Sequence, residues 1–174
     1  MRNVRFLRAA LLGCVAVVAV SCSEPTNPVP QAGLLDGDLF GDLTQRTGLL
    51  YCAPLPYDSV TQTIGPEGGI IQVGPHTFTV PAGALDTEVT ITAVTPSDTV
   101  NRIQFQPEGL VFNEYTTLRM SYANCNLLGS LLPKRVAYVS SDFVILDYLP
   151  SLDNVFTQTV RGKLQHFSEY ALAW

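Results

Sequence analysis

Cys52 and Cys125 are the residues of this chain with the most direct chemistry open to them. Joined as a disulfide, they would close a loop of about 70 residues, worth roughly 4 kcal/mol in the chain-entropy model. Left apart, they would serve as two small apolar residues. A zinc site would need Cys and His at ligand spacing, and His76 and His166 stand at no such spacing from either thiol. Asp36-Gly37-Asp38 with Gly41-Asp42 has the beginnings of a calcium loop. Phe40, however, fills a position that should offer oxygen, and Thr47 stands where a bidentate Glu is needed. Glu67 and Glu108 lie in Gly- and Pro-containing turns, where solvated carboxylates are expected rather than a paired acid and base. His76, after Gly74-Pro75, reads as an exposed turn residue. No Gly-x-Ser-x-Gly elbow is present and no Gly-rich loop opens a helix. No metal and no cofactor is therefore expected.

The fate of the two thiols depends on the redox compartment, and the N-terminal residues address it. Arg2, Arg5 and Arg8 precede an apolar run from Ala9 to Val20, followed by Ser21. A basic start, a short apolar run and a small residue before a cut are the parts of a secretory signal peptide, here residues 1–21. The run is too short to span a bilayer, which needs roughly 20 residues. Ala19-Val20-Ser21-Cys22 is similar to the cleavage box of bacterial lipoproteins, in which the Cys becomes the acylated first residue. Leu11-Leu12-Gly13-Cys14 fits that consensus better by letter, yet a cut there leaves almost no apolar run. Cys22 is the expected lipidation site, with an unlipidated secreted or periplasmic form as the alternative. The resemblance implies three acyl chains, a firm anchor where one chain would be marginal. Ser23 rather than Asp after the Cys implies the outer membrane. Once exported, Cys52 and Cys125 form an even pair in an oxidising compartment, and the disulfide is the expected outcome.

Removing Arg2, Arg5 and Arg8 with the leader leaves seven of the ten basic residues against fifteen acidic ones, a net charge of −8 in place of −5. Such a balance argues against nucleic acid as a partner, since its binders present basic patches.

These residues must be held by strands. Residues 22–50 read as a tether, Pro-rich at Ser23–Pro30 and carrying apolar Leu34, Leu35, Leu39, Phe40 and Leu43 further on. From Tyr51 to Trp174 short alternating stretches follow one another between turn residues. Val60–Ile64 opens; Ile71 with Val73, Phe78 with Val80, and Val89, Ile91 and Ala93 come next. Leu118, Met120 and Tyr122 mark a further strand, as do Arg135–Ser141, Phe143–Leu149, Asn154–Arg161 and Lys163–Ala173. Asn126–Leu132 is a possible short helical turn within a connection. Regular punctuation of this kind predicts an all-β domain, a single antiparallel β-sandwich of about nine strands. Its expected core is Ile71, Val73, Phe78, Val80, Val89, Ile91, Ala93, Phe105, Leu118, Met120, Tyr138, Ile145, Phe156, Leu164 and Tyr170.

Three landmarks recur in order: Gly68-Gly69, Pro81-Ala82-Gly83-Ala84-Leu85 and Pro107-Glu108-Gly109-Leu110-Val111-Phe112. Together they resemble the ZU-five domain, the β-sandwich shared by ankyrins, netrin-receptor tails and zonula occludens proteins, over about Ile64 to Ala173. The resemblance implies a protein-interaction module. It also implies one catalytic possibility, because some relatives cut themselves before a serine near the end of the module. Here that position matches His166-Phe167-Ser168. Ser168 would attack the Phe167 carbonyl in an N-to-O acyl shift, with His166 as base, and water would release the ester. By alternation, His166 and Ser168 would instead share one strand face with Leu164, Tyr170 and Leu172, as packing residues.

The expectation is a non-enzymatic lipoprotein that displays a β-sandwich at the cell envelope. Its partner would be an envelope or extracellular protein or a glycan, met through loops such as Gly65–Gly69 or Gln106–Gly109, and it would touch the membrane only through its lipid. A module cut between Phe167 and Ser168 and a substrate-binding or enzyme-accessory lipoprotein are the alternatives.

Overall fold

The computed structural model describes residues 48–125, 127 and 132–174. The expected signal peptide, the Cys22 lipidation site, the tether as far as Thr47, the calcium-like stretch and most of the Asn126–Leu132 turn lie outside the described residues. Within them the chain is all-β, with eleven strands rather than about nine. These are β1 (Asp58–Ile64), β2 (Gly69–Val73), β3 (His76–Val80), β4 (Val89–Thr95), β5 (Arg102–Gln106), β6 (Val111–Ser121), β7 (Arg135–Val139), β8 (Ile145–Tyr148), β9 (Ser151–Asn154), β10 (Thr159–His166) and β11 (Glu169–Ala173). They form two antiparallel sheets, one of six strands ordered β1-β4-β5-β11-β7-β8 and one of five ordered β2-β3-β6-β10-β9.

The alternation in the sequence explains the layering. Ile91 and Ala93 on β4, Ile103 and Phe105 on β5, and Tyr170 and Leu172 on β11 turn inward from the larger sheet. Ile71, Val73, Phe78, Leu118, Met120, Val160 and Leu164 meet them from the smaller one in a single continuous core. The two sheets thus lie face to face. Phe78, Phe105, Phe112 and Phe167 form the centre, Phe105 and Phe167 being stacked with centroids 4.6 Å apart and Phe78 4.8 Å from Phe105. Two glycines are fixed by space. Gly68 has φ +77°, and a Cβ there would lie 2.4 Å from the Val80 carbonyl oxygen. At Gly162 a Cβ would lie 2.8 Å from Val136 Cβ, so β10 of one sheet packs closely on β7 of the other.

Strand β11 is buried on both faces. Ala171 and Ala173 point away from the main core and build a second, smaller one with Leu49, Val100, Ala137 and Val139. Leu49 pairs with Ala173, Leu50 N donates to Leu172 O (2.8 Å), and Leu50 is 1% exposed. Leu49 and Leu50, read as the end of the tether, are therefore packed into the two-sheet frame.

Several sequence-derived boundaries shift, each for a local reason. The Asn154–Arg161 stretch is a strand end, a turn and a strand start. Asn154 Oδ1 accepts hydrogen bonds from the Phe156 and Thr157 N–H groups (3.1 Å each), which ends β9 before β10 begins at Thr159. Phe156, expected in the core, stands at the tip of this turn, 96% exposed. Lys163–Ala173 is two strands, because the chain crosses between sheets after His166. The β8 strand begins only at Ile145, since Phe143 turns the preceding loop at φ 60°. Val89, Tyr138 and Ile145 are half-buried at the margins of the cores rather than within them.

Candidate functional site

His166, Phe167 and Ser168 occupy the corner where the chain leaves the five-stranded sheet and enters the six-stranded one. The β10–β6 register slips between Leu164 and His166, a bulge that reverses the alternation expected from sequence. Phe167, not His166 or Ser168, therefore joins Leu164, Tyr170 and Leu172 in the core, at 1% exposure. Its peptide groups are paired: Phe167 N donates to Leu110 O (2.7 Å), and Gly109 N donates to Phe167 O (3.0 Å).

Ser168 is buried and borders a cleft of about 500 Å³ lined by Gln104, Gln106, Glu108, Ser140 and Glu169 together with apolar Phe105, Val139 and Leu146. The acyl shift would need a base at the Ser168 hydroxyl. Among the described residues, His166 makes no hydrogen bond to it. The His166 ring packs edge-on to Tyr138, with centroids 5.2 Å apart, and Nδ1 lies 3.4 Å from the Tyr170 hydroxyl. Burial, reinforced by Tyr138, holds the Tyr170 phenol above its usual range. It stays protonated and donates to the His166 carbonyl (2.6 Å). The neighbouring carboxylate, Glu169, is engaged by the Arg102 guanidinium and by Gln104 Nε2 (3.0 Å). The corner brings the three residues together without aligning a base on the nucleophile.

A second constellation surrounds the disulfide. Cys52 and Cys125 are bonded, 73 residues apart in sequence. Beside them Asn101 Nδ2 donates to Ser121 O (2.9 Å) and Asn124 Oδ1 (3.0 Å), and Asn124 Nδ2 donates to Ala53 O (2.6 Å). His76 closes this network from β3. It is fully buried, correcting its reading as an exposed turn residue: it shares the inward face of β3 with Phe78 and Val80. Its Nδ1 accepts from Ser121 N (3.1 Å), which puts the ring proton of the neutral form on Nε2. His76 Nε2 and Asn101 Oδ1 are the buried side-chain polar atoms left without a partner among the described residues.

Burial lowers the His76 pKa from 6.5 to about 4, against a smaller opposing effect of the Asn101 side chain. The unfolded chain takes up this proton from about pH 6.5 downward, and the folded chain only near pH 4. Stability from this group is fully present above pH 6.5 and falls with pH between the two values, by about 3 kcal/mol in all. Urea midpoints measured from pH 7 to pH 4 should therefore decline less for His76→Asn, which keeps an acceptor for Ser121 N, than for the natural protein. Parallel declines would contradict the assignment.

Lys134 was not distinguished by sequence, where it is only half of a Lys-Arg pair. It is 2% exposed, its Nζ lying 5.4 Å from the Tyr122 ring centre and 5.1 Å from that of Trp174. Asp153 joins the same cluster, accepting from Tyr122 Oη (2.8 Å) and Lys134 N (3.0 Å). Of the turns expected to make contacts, Glu67 and Glu108 are exposed, and the Gln106–Pro107 peptide is cis. No group of three or more His, Cys, Asp or Glu residues among the described ones is placed to hold a metal ion. No protein-family model matches this chain, and no curated protein matches it.

Proposed function

We propose that this chain is an exported, lipid-anchored module of the cell envelope: a non-catalytic β-sandwich of ZU-five type, tethered through an acylated Cys22 and presenting its loops and sheet faces to a protein or glycan partner. The observation that carries this reading is the pair of packed antiparallel sheets with the Cys52–Cys125 disulfide, a cross-link compatible with an exported protein. The Arg-led apolar leader and Ala19-Val20-Ser21-Cys22 support the anchor. Among the described residues no helix is long and apolar enough to cross a membrane. The polar lining of the cleft at Ser168 favours display over capture of an apolar substrate, which would call for a deep apolar pocket.

Intact mass of the protein made in a lipoprotein-competent bacterium tests the reading. The expected species begins at Cys22, carries three acyl chains and gains two hydrogens on reduction. An unlipidated, fully reduced product would overturn export and anchoring together. Loss of Ser168–Trp174 would replace display with self-processing.

A further inference from the structure

The outer face of the five-stranded sheet differs in charge from the rest of this acidic chain. Its central row runs Gln72, Thr77, Arg119, Arg161 and Leu152 across β2, β3, β6, β10 and β9. Arg119 and Arg161 are directly opposite one another, and Lys163 lies one outward position further along β10. No Asp or Glu occupies an outward position on β2, β3, β9 or β10, or on β6 between Thr117 and Ser121. Among the described residues neither guanidinium makes an ion pair or a hydrogen bond, whereas Arg102 on the other sheet pairs with Asp98 and Glu169. Like charges directly opposite on neighbouring strands repel, so this pairing is unfavourable unless an anion lies between them.

Further donors stand beside the pair. Arg119 and Arg161 line a cavity of about 230 Å³ with Leu152, Asn154, Thr157 and Thr159. The β9–β10 turn holds the neutral groups in place. Asn154 Oδ1 is occupied by the Phe156 and Thr157 N–H groups, leaving its NH₂ as the donating end of the side chain. Thr157 Oγ1 and Thr159 Oγ1 are 2.8 Å apart, so one hydroxyl proton is used between them and the other is available. Two forked guanidinium groups with hydroxyl and amide donors beside them match a tetrahedral oxyanion, because each guanidinium can give two parallel N–H···O bonds.

We propose that this concavity binds phosphate or sulfate, as the free ion or as an ester terminus, clamped between Arg119 and Arg161. The site stands on described residues alone and does not depend on whether Cys22 is acylated.

The test is equilibrium binding to the full-length protein at constant ionic strength, with sodium sulfate and inorganic phosphate titrated against chloride and a sulfated disaccharide in a parallel arm. The natural protein should show saturable binding of the tetrahedral anions and none of chloride. Arg119→Gln and Arg161→Gln should each weaken it about tenfold or more, the scale of a lost charge-assisted pair. Lys163→Gln, which removes the same charge from the same face outside the cavity, should change it less than about twofold. Tighter binding of the disaccharide than of sulfate identifies an ester as the occupant, and equal binding identifies the free ion. Two results overturn the proposal: a response to sulfate no different from chloride, or a loss in Lys163→Gln as large as in Arg161→Gln. Without anion, Arg161→Gln should be at least as stable as the natural protein, because its removal relieves the Arg–Arg repulsion; this guards against mistaking misfolding for lost binding.

Discussion

Replacing both Cys52 and Cys125 with alanine is expected to lower the stability of the domain by about 4 kcal/mol, the chain-entropy value for a bridge of this span. The effect falls on the unfolded chain, since the folded pairing at this point has other supports. Cys52 N donates to Thr99 O (2.8 Å), Ala53 N donates to Asn124 O (3.1 Å), and Leu50 remains seated in the core. With domains commonly stable by about 5–15 kcal/mol, the loss is a large share of the whole. For a urea slope of about 2 kcal/mol per M, the midpoint should fall by about 2 M. Equilibrium unfolding of the double variant beside the oxidised natural protein measures this directly. A shift below about 0.5 M would mean that the bridge removes little entropy from the unfolded chain, and the loop-closure account would fail.

The parts of the fold legible in sequence are those governed by local alternation. Ile71 with Val73, Phe78 with Val80, and Ile91 with Ala93 needed only the two-residue period to be placed in the core, and all six are buried. The cysteine pairing was legible from the even number of thiols left beyond the expected leader and lipidation site. His76 was misread although its signal was present, because it stands two residues before Phe78 and so shares its face. The preceding Gly74-Pro75 drew attention to the turn instead. Phe156 was misplaced because the Asn154 side chain, not the hydrophobic pattern, decides where β9 ends. Neither the bulge after Leu164 nor the Arg119–Arg161 pairing could be read at all. Each depends on the register between strands distant in sequence, and a slip of one residue exchanges the two faces of a strand.

That bulge sets the second large effect. By shifting the face of the strand it puts Phe167 into the aromatic centre, where its ring lies 4.6 Å from Phe105, 4.9 Å from Phe112 and 5.3 Å from Phe78. These rings come from both sheets and from the corner between them, so Phe167 joins the layers where the chain passes from one to the other. Phe167→Ala should cost about 3–5 kcal/mol in urea unfolding, through lost burial and a cavity that three fixed rings cannot close. Phe167→Leu should cost markedly less, since most of the volume is kept. Ser168→Ala removes a hydroxyl at the cleft edge and should stay within about 1 kcal/mol. This order separates packing from chemistry at adjacent positions. A structural corner makes Phe167 sensitive and Ser168 tolerant, with every variant recovered unbroken between residues 167 and 168. A self-processing corner would make Ser168→Ala the decisive change, abolishing a break that the natural protein shows. Unfolding midpoints and intact masses of the three variants therefore decide whether the corner is built for packing or for cleavage.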